Sequence, residues 1–206
     1  MPGEQTHTGG KPYLRIIQGG LVNKVTEDTD GAMRRDWESP NGSGTAWELR
    51  YSNWEGKIIS IEFKEGKYGD ECIIEFDDAF LTVKTDDRYF QDLASKLPNV
   101  DLSKSVKLHP YNMEVEDGKY KTGVSVQQGG EKIASHYWDG KKKTNGFPEV
   151  DEALKEKKGK KYWPLYFGDV ADFLVEELGK LKFEAPVEEI EEMDLDDMPT
   201  DLPFDK

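Results

Sequence analysis

From Thr45 to Thr85 the sequence holds to a two-residue period, and this constrains the fold more than any other feature. Trp47, Leu49 and Tyr51 alternate with Glu48, Arg50 and Ser52, the mark of a strand with one face buried. A turn at Glu55-Gly56 leads into "KIISIEF", with Ile59, Ile61 and Phe63 as its inner set. The stretch "KEGKYGD" turns the chain into "ECIIEF", and "AFLTVKT" follows after Asp77-Asp78. Short runs joined by short turns predict consecutive antiparallel strands.

One helix interrupts the β-pattern. Asp86 or Asp87 caps it, Tyr89, Phe90, Leu93, Ala94 and Leu97 follow at helical spacing, and Pro98 ends it. Strand-like runs resume as "SVKLHPYNMEV", "KYKTGVSVQQ" and "EKIASHYW". Before the regular region, "YLRIIQGGLVNKV" is β-prone with a break at Gly19-Gly20, which predicts a bulged strand or a hairpin. A polar, Gly-rich excursion then runs to Gly44 and reads as a loop. Strands, one helix, then strands predict a mainly β chain, an OB-fold-like antiparallel barrel with one helix between strands. A second helix, capped by Asp169 with Val170, Phe173, Leu174, Leu178 and Leu181 on one stripe, is added at the C-terminal side and packs against the barrel. The expected organisation is a disordered start over 1–11, one nucleic-acid-binding domain over 12–183 and a disordered acidic tail over 184–206.

The formal charge of −14 opposes contact with phosphates only until its distribution is considered. Residues 184–206 hold ten carboxylates against the lone Lys206, so the tail carries −9 and the remaining chain only −5. A body of that charge can present a basic face. The single cysteine, Cys72, lies in an apolar run and reads as a buried thiol, which leaves no disulfide framework. His7, His109 and His136 lack metal-ligand spacing, and Asp77-Asp78 and Asp86-Asp87 sit where a turn and a cap belong. No phosphate-binding loop, dinucleotide fingerprint or nucleophile elbow is present, so neither catalysis nor a cofactor is expected. No run has the length of a membrane span and the first residues lack the pattern of a signal peptide, which predicts a cytoplasmic protein.

Single strands are held by aromatic platforms beside basic residues that follow the phosphates. Five Trp and nine Tyr stand in this chain, several next to Lys or Arg. Trp47, Tyr51 and Phe63 take inner strand positions and are assigned to the core. Trp37, Trp54, Tyr68 and Trp138 fall near turns and loops and are the stacking candidates. Arg34, Arg35, Arg50, Lys64, Lys67, Lys121, Lys141, Lys142 and Lys143 are the expected phosphate contacts.

The tail adds a resemblance. Asp201, Leu202, Pro203 and Phe204 resemble the acidic tip of bacterial and phage single-stranded-DNA-binding proteins, where aspartates precede a hydrophobic-Pro-Phe end, and Asp196, Asp197, Met198 and Pro199 make a partial second copy. In those proteins Phe is usually last, whereas Asp205 and Lys206 follow here, and the phage-type members are the nearer likeness. The resemblance implies an OB-fold, a tip that docks replication and repair proteins, and an acidic stretch that competes with DNA for the basic groove. Charge steers such a tip, and Leu202 and Phe204 can fill an apolar pocket. The expected function is sequence-independent single-stranded DNA binding in replication, recombination or repair, in a bacterial host cell for a phage protein. The alternatives are an acidic DNA mimic or interaction module, and a single-stranded RNA binder.

Overall fold

A computed structural model describes residues 10–39, 42–66 and 69–183. Its strands are β1 (Tyr13–Ile17), β2 (Gly20–Val25), β3 (Met33–Ser39), β4 (Gly42–Tyr51), β5 (Trp54–Lys64), β6 (Glu71–Phe76), β7 (Phe80–Lys84), β8 (Ser105–Glu116), β9 (Lys119–Gln128) and β10 (Glu131–Lys132). The helices are α1 (Arg88–Ala94), α2 (Glu152–Lys158) and α3 (Tyr162–Leu178). The chain is mainly β. Its strands form one sheet in the order β10-β9-β8-β5-β6-β7-β1-β2-β4-β3.

The sheet is mixed and open where an antiparallel barrel was expected. β1 runs parallel to β7, with Tyr13 opposite Phe80, and every other pair is antiparallel. The reason lies at the N-terminal side. "YLRIIQGGLVNKV" is a hairpin closed by Gln18 (φ 49°) and Gly19 (φ 78°), a two-residue turn of the left-handed kind that suits strand twist. The polar excursion also becomes a hairpin, β3 on β4, with Trp37 opposite Gly44. These strands add beside β7, and the sheet edges, β3 and β10, do not pair with each other.

β5 joins two parts of the sheet. Trp54–Lys57 pair with β8, and from Ile58 onward the strand pairs with β6. Glu55-Gly56 is therefore strand and not turn, and Gly56 is needed because a Cβ there would stand 2.7 Å from Asp77 Oδ1. A bulge between Ile58 and Ser60 shifts the register, so Ile58, at 2% exposure, takes the buried place expected of Ile59.

The covered face of the sheet carries Leu14, Leu21, Ile74, Phe76, Leu81, Leu108 and Val126, all at 1% exposure or less. Burying each such side chain contributes about 1.5–3 kcal/mol. α1 and α3 complete this core. Asp87 caps α1 through a bond to the Tyr89 N–H at 2.9 Å, and Phe90 and Leu93 point inward. Asp92 Oδ2 accepts from the Val124 N–H at 2.6 Å, and Lys96 Nζ, just past the end of α1, donates to the Val124 carbonyl at 2.6 Å, so α1 and the residues after it satisfy the outer edge of β9 at this point.

α3 begins at Tyr162 rather than at Asp169, which lies exposed within the helix. Pro164 and Gly168 look like breakers in the sequence, but Pro164 occupies the first turn, where a missing N–H costs nothing. Tyr162, Tyr166, Val170, Leu174 and Leu178 recur every four residues along its buried side. The expected strand "EKIASHYW" shortens to Glu131–Lys132. Among the described residues no helix is long and apolar enough to cross a membrane.

Candidate nucleic-acid interface

Among the described residues, the outward face of β1 to β4 gathers rings and cations around one cleft. Alternation places Leu14 and Leu21 in the core and so sends Tyr13, Arg15 and Lys24 to the other side. The register puts Arg15 opposite Val22, Lys24 opposite Glu48 and Arg35 opposite Ala46. The outcome is a cleft of about 580 Å³ whose lining includes Lys11, Tyr13, Arg15, Lys24, Arg35 and Trp37.

Its aromatic rings are presented, not packed away. Tyr13 is 65% exposed and stacks on Phe80 with ring centroids 4.8 Å apart and planes at 14°. The parallel pairing of β1 and β7 sets those two residues side by side. Trp37 is 41% exposed, and its ring lies over Gly44, where an added Cβ would come within 2.9 Å of it. Each ring thus rests on the protein through one side.

The charges are arranged around one buried carboxylate. Glu48, 3% exposed, accepts from Arg35 Nε at 2.5 Å and Arg50 Nη2 at 3.3 Å, which holds two guanidiniums at the cost of one charge. Lys11 Nζ donates to Glu75 at 2.7 Å and to the Phe76 carbonyl at 2.9 Å, 5.3 Å from the Phe80 ring centroid. That bond, helped by Ser60, holds the Glu75 carboxyl below its usual range. Arg15 and Lys24 have no carboxylate partner among the described residues. Open rings beside unpaired cations can stack bases and hold phosphates.

Of the residues expected from sequence, Arg35 and Trp37 lie in this cleft and Arg50 adjoins it through Glu48. Arg34 points to the opposite face of β3 and pairs with Asp36 at 3.0 Å. Trp54 is no free platform: it is half-buried against the core, meets Tyr51 edge-on at 5.2 Å and donates Nε1–H to Asp78 at 2.9 Å. Lys64 pairs with Glu62 at the far end of β5. Lys121 stands on the exposed β8–β9 hairpin, opposite Met113. Trp138, 49% exposed, shares a separate turn with Lys141 and Lys142, whose backbone N–H groups bond Asp139 Oδ1 at 2.9 Å. Lys143 serves the fold instead, donating to the Pro148 carbonyl at 2.7 Å and Tyr166 Oη at 2.6 Å.

Among the expected core aromatics, Tyr51 and Phe63 are half-buried against the core, while Trp47 is half-buried outside it. Lys67, Tyr68 and the tail residues Asp196, Asp197, Asp201, Leu202, Pro203 and Phe204 lie outside the described residues. Sequence reasoning missed Lys11, Tyr13, Arg15, Lys24 and Phe80. The signal was the outward set of "YLRII", which alternates an aromatic and a cation. No family model, curated protein or solved structure matches this chain.

Proposed function

We propose that this protein binds single-stranded DNA with little sequence preference, along the cleft on the open face of β1 to β4, and protects strands exposed in replication, recombination or repair. The observation that carries this reading is the open Tyr13 ring, stacked on Phe80 beside the unpaired Arg15 and Lys24. Stacking is sequence-tolerant because every base has a π-face, and neighbouring cations follow the backbone.

Strand order supports an OB-like relationship. β7-β6-β5-β8-β9 is the order 3-2-1-4-5 of a five-stranded OB barrel, with α1 between the third and fourth strands. β5, shared between β6 and β8, corresponds to its bent first strand. The third strand pairs with β1 here, where OB barrels close on the fifth. OB-folds bind oligonucleotides over strands 2 and 3, which are β6 and β7, beside β1 and its Tyr13–Phe80 pair. The acidic tail fits the same reading, as a segment that recruits replication and repair proteins and competes with DNA.

A DNA mimic would display carboxylates on its folded surface, and the cluster of cations in this cleft favours a binder. A gel-shift with labelled oligo-dT and unlabelled duplex and RNA competitors tests the proposal. A shift resistant to duplex supports it, and loss of the shift to RNA at equal concentration would move the reading to a general single-strand binder. Failure to shift any single strand at micromolar protein overturns it.

A further inference from the structure

Among the described residues Glu48 is the single charged side chain that the fold buries. Burying a carboxylate is costly unless cations and hydrogen bonds meet it, and an apolar residue in its place often serves stability as well. What the buried group supplies is therefore orientation. Oε1 accepts from Arg35 Nε and Oε2 from Arg50 Nη2. Arg35 stands opposite Ala46 on β4, and Glu48 is the next residue of β4 on that face, so the Arg35 side chain runs diagonally back across the strand pair to reach it. Ala46 is small and buried, and it leaves that path clear. Only Nε of Arg35 is engaged by Glu48, and among the described residues Arg35 makes no other side-chain bond. Both Nη groups remain free at the wall of the cleft. Lys24, directly opposite Glu48 on β2, adds a second cation beside them.

We propose that Arg35 is a phosphate clamp, gripping one phosphodiester of the bound strand through both Nη groups, and that Glu48 is the positioning residue that holds it in place. The proposal rests on the single-strand reading and says how that cleft takes the backbone. A planar guanidinium matches two oxygens of one phosphate at once, which a lysine amine does not. Because Glu48 already holds the guanidinium, little side-chain freedom is lost when the phosphate arrives. Trp37 follows two residues along β3 on the same face, so a base stacked there adjoins the gripped phosphate. The proposal fixes a sign. If the cleft worked through net charge alone, Glu48→Gln would remove a negative charge beside the strand and tighten binding. If Glu48 positions Arg35, the same substitution exchanges a charge-assisted bond for a weaker neutral one, lets the fork swing away, and weakens binding.

Fluorescence anisotropy of the full chain with labelled oligo-dT over a salt series tests the clamp, with urea unfolding to establish that each variant is folded. Arg35→Ala should weaken binding about tenfold or more and lower the slope of log Kd against log salt by about 0.7. Arg35→Lys keeps the charge and loses the fork, so it should keep the slope and still bind more weakly than the wild type. Glu48→Gln should weaken binding in the wild-type background and should not weaken it further in Arg35→Ala, because it acts through that residue. Should Glu48→Gln fail to fold, Arg35→Lys decides alone. Wild-type affinity in Arg35→Lys, or tighter binding by Glu48→Gln, overturns the clamp and leaves single-strand binding standing. No binding of oligo-dT by the wild type overturns both.

Discussion

Tyr13→Ala removes the ring on which the binding proposal rests, and its two effects separate cleanly. Tyr13 is 65% exposed, so its packing contribution is small. What it gives the fold is its stack on Phe80, and such a pair contributes about 0.5–1.5 kcal/mol. Loss of a stacked base costs about 1–3 kcal/mol in binding, which is about 5- to 150-fold in Kd. Fluorescence anisotropy with a labelled oligo-dT over a salt series measures both affinity and mechanism. Tyr13 carries no charge, so the slope of log Kd against log salt should stay as in the wild type while the curve moves to weaker binding. Arg15→Ala should instead lower the slope by about 0.7, the value for one phosphate contact on a single strand. Unchanged affinity in a folded Tyr13→Ala protein, or a changed slope, would refute the stacking role.

Trp54→Ala should lower the unfolding midpoint and leave oligo-dT affinity unchanged, because Trp54 is committed to Tyr51 and Asp78; its loss should be smaller than that of Phe76→Ala, a fully buried ring whose truncation costs about 3–5 kcal/mol. Gly123→Ala should destabilise the protein in urea unfolding, since the new Cβ would run into Asp92 Oδ2 and stand 2.5 Å from Tyr111 Oη, and Asp92 cannot move without losing the Val124 N–H. Burial pushes the Cys72 thiol up to about 12, so the unfolded chain releases this proton near pH 8.5 while the folded chain keeps it, and stability should fall as pH rises between those values, by at most about 1.4 kcal/mol per pH unit. Urea midpoints from pH 8 to 11 for wild type and Cys72→Ala check the sign; Tyr51, Tyr89, Tyr111 and Tyr137 are raised chiefly by burial as well and add the same trend in both proteins.

The strands with one apolar face were legible because a two-residue period leaves little choice, and Asp87 announced α1 by capping chemistry. β3 and the first residues of β4 were hidden because neither face of this outer hairpin end is covered, so "MRRDWES" and "GSGT" carry no apolar alternation to read, whereas the rest of β4 was legible from Thr45 onward. Ile59 was misplaced by a bulge, which turns on the pairing of β5 with β6 and leaves no local mark. α3 was clipped because Pro164 and Gly168 stop helices in general, yet here Pro164 falls in the one turn that tolerates it. The cleft was half legible. Arg35 and Trp37 were marked by adjacency of charge and ring, whereas Tyr13 and Phe80 meet only through a parallel pairing between segments 67 residues apart in the sequence. Lys143 misled because a lysine run reads as surface, and only the fold turns its amine toward Tyr166.

The central claim is that one strand of DNA runs over the cleft of β1 to β4. Backbone and indole chemical shifts of the isotope-labelled full chain, followed during titration with oligo-dT and then with a duplex of equal length, test it most directly. The account predicts that Tyr13, Arg15, Lys24 and the Trp37 indole move with the single strand and stay in place with the duplex. Shifts confined to the α2–α3 lysines, or no shift with either nucleic acid, would contradict it.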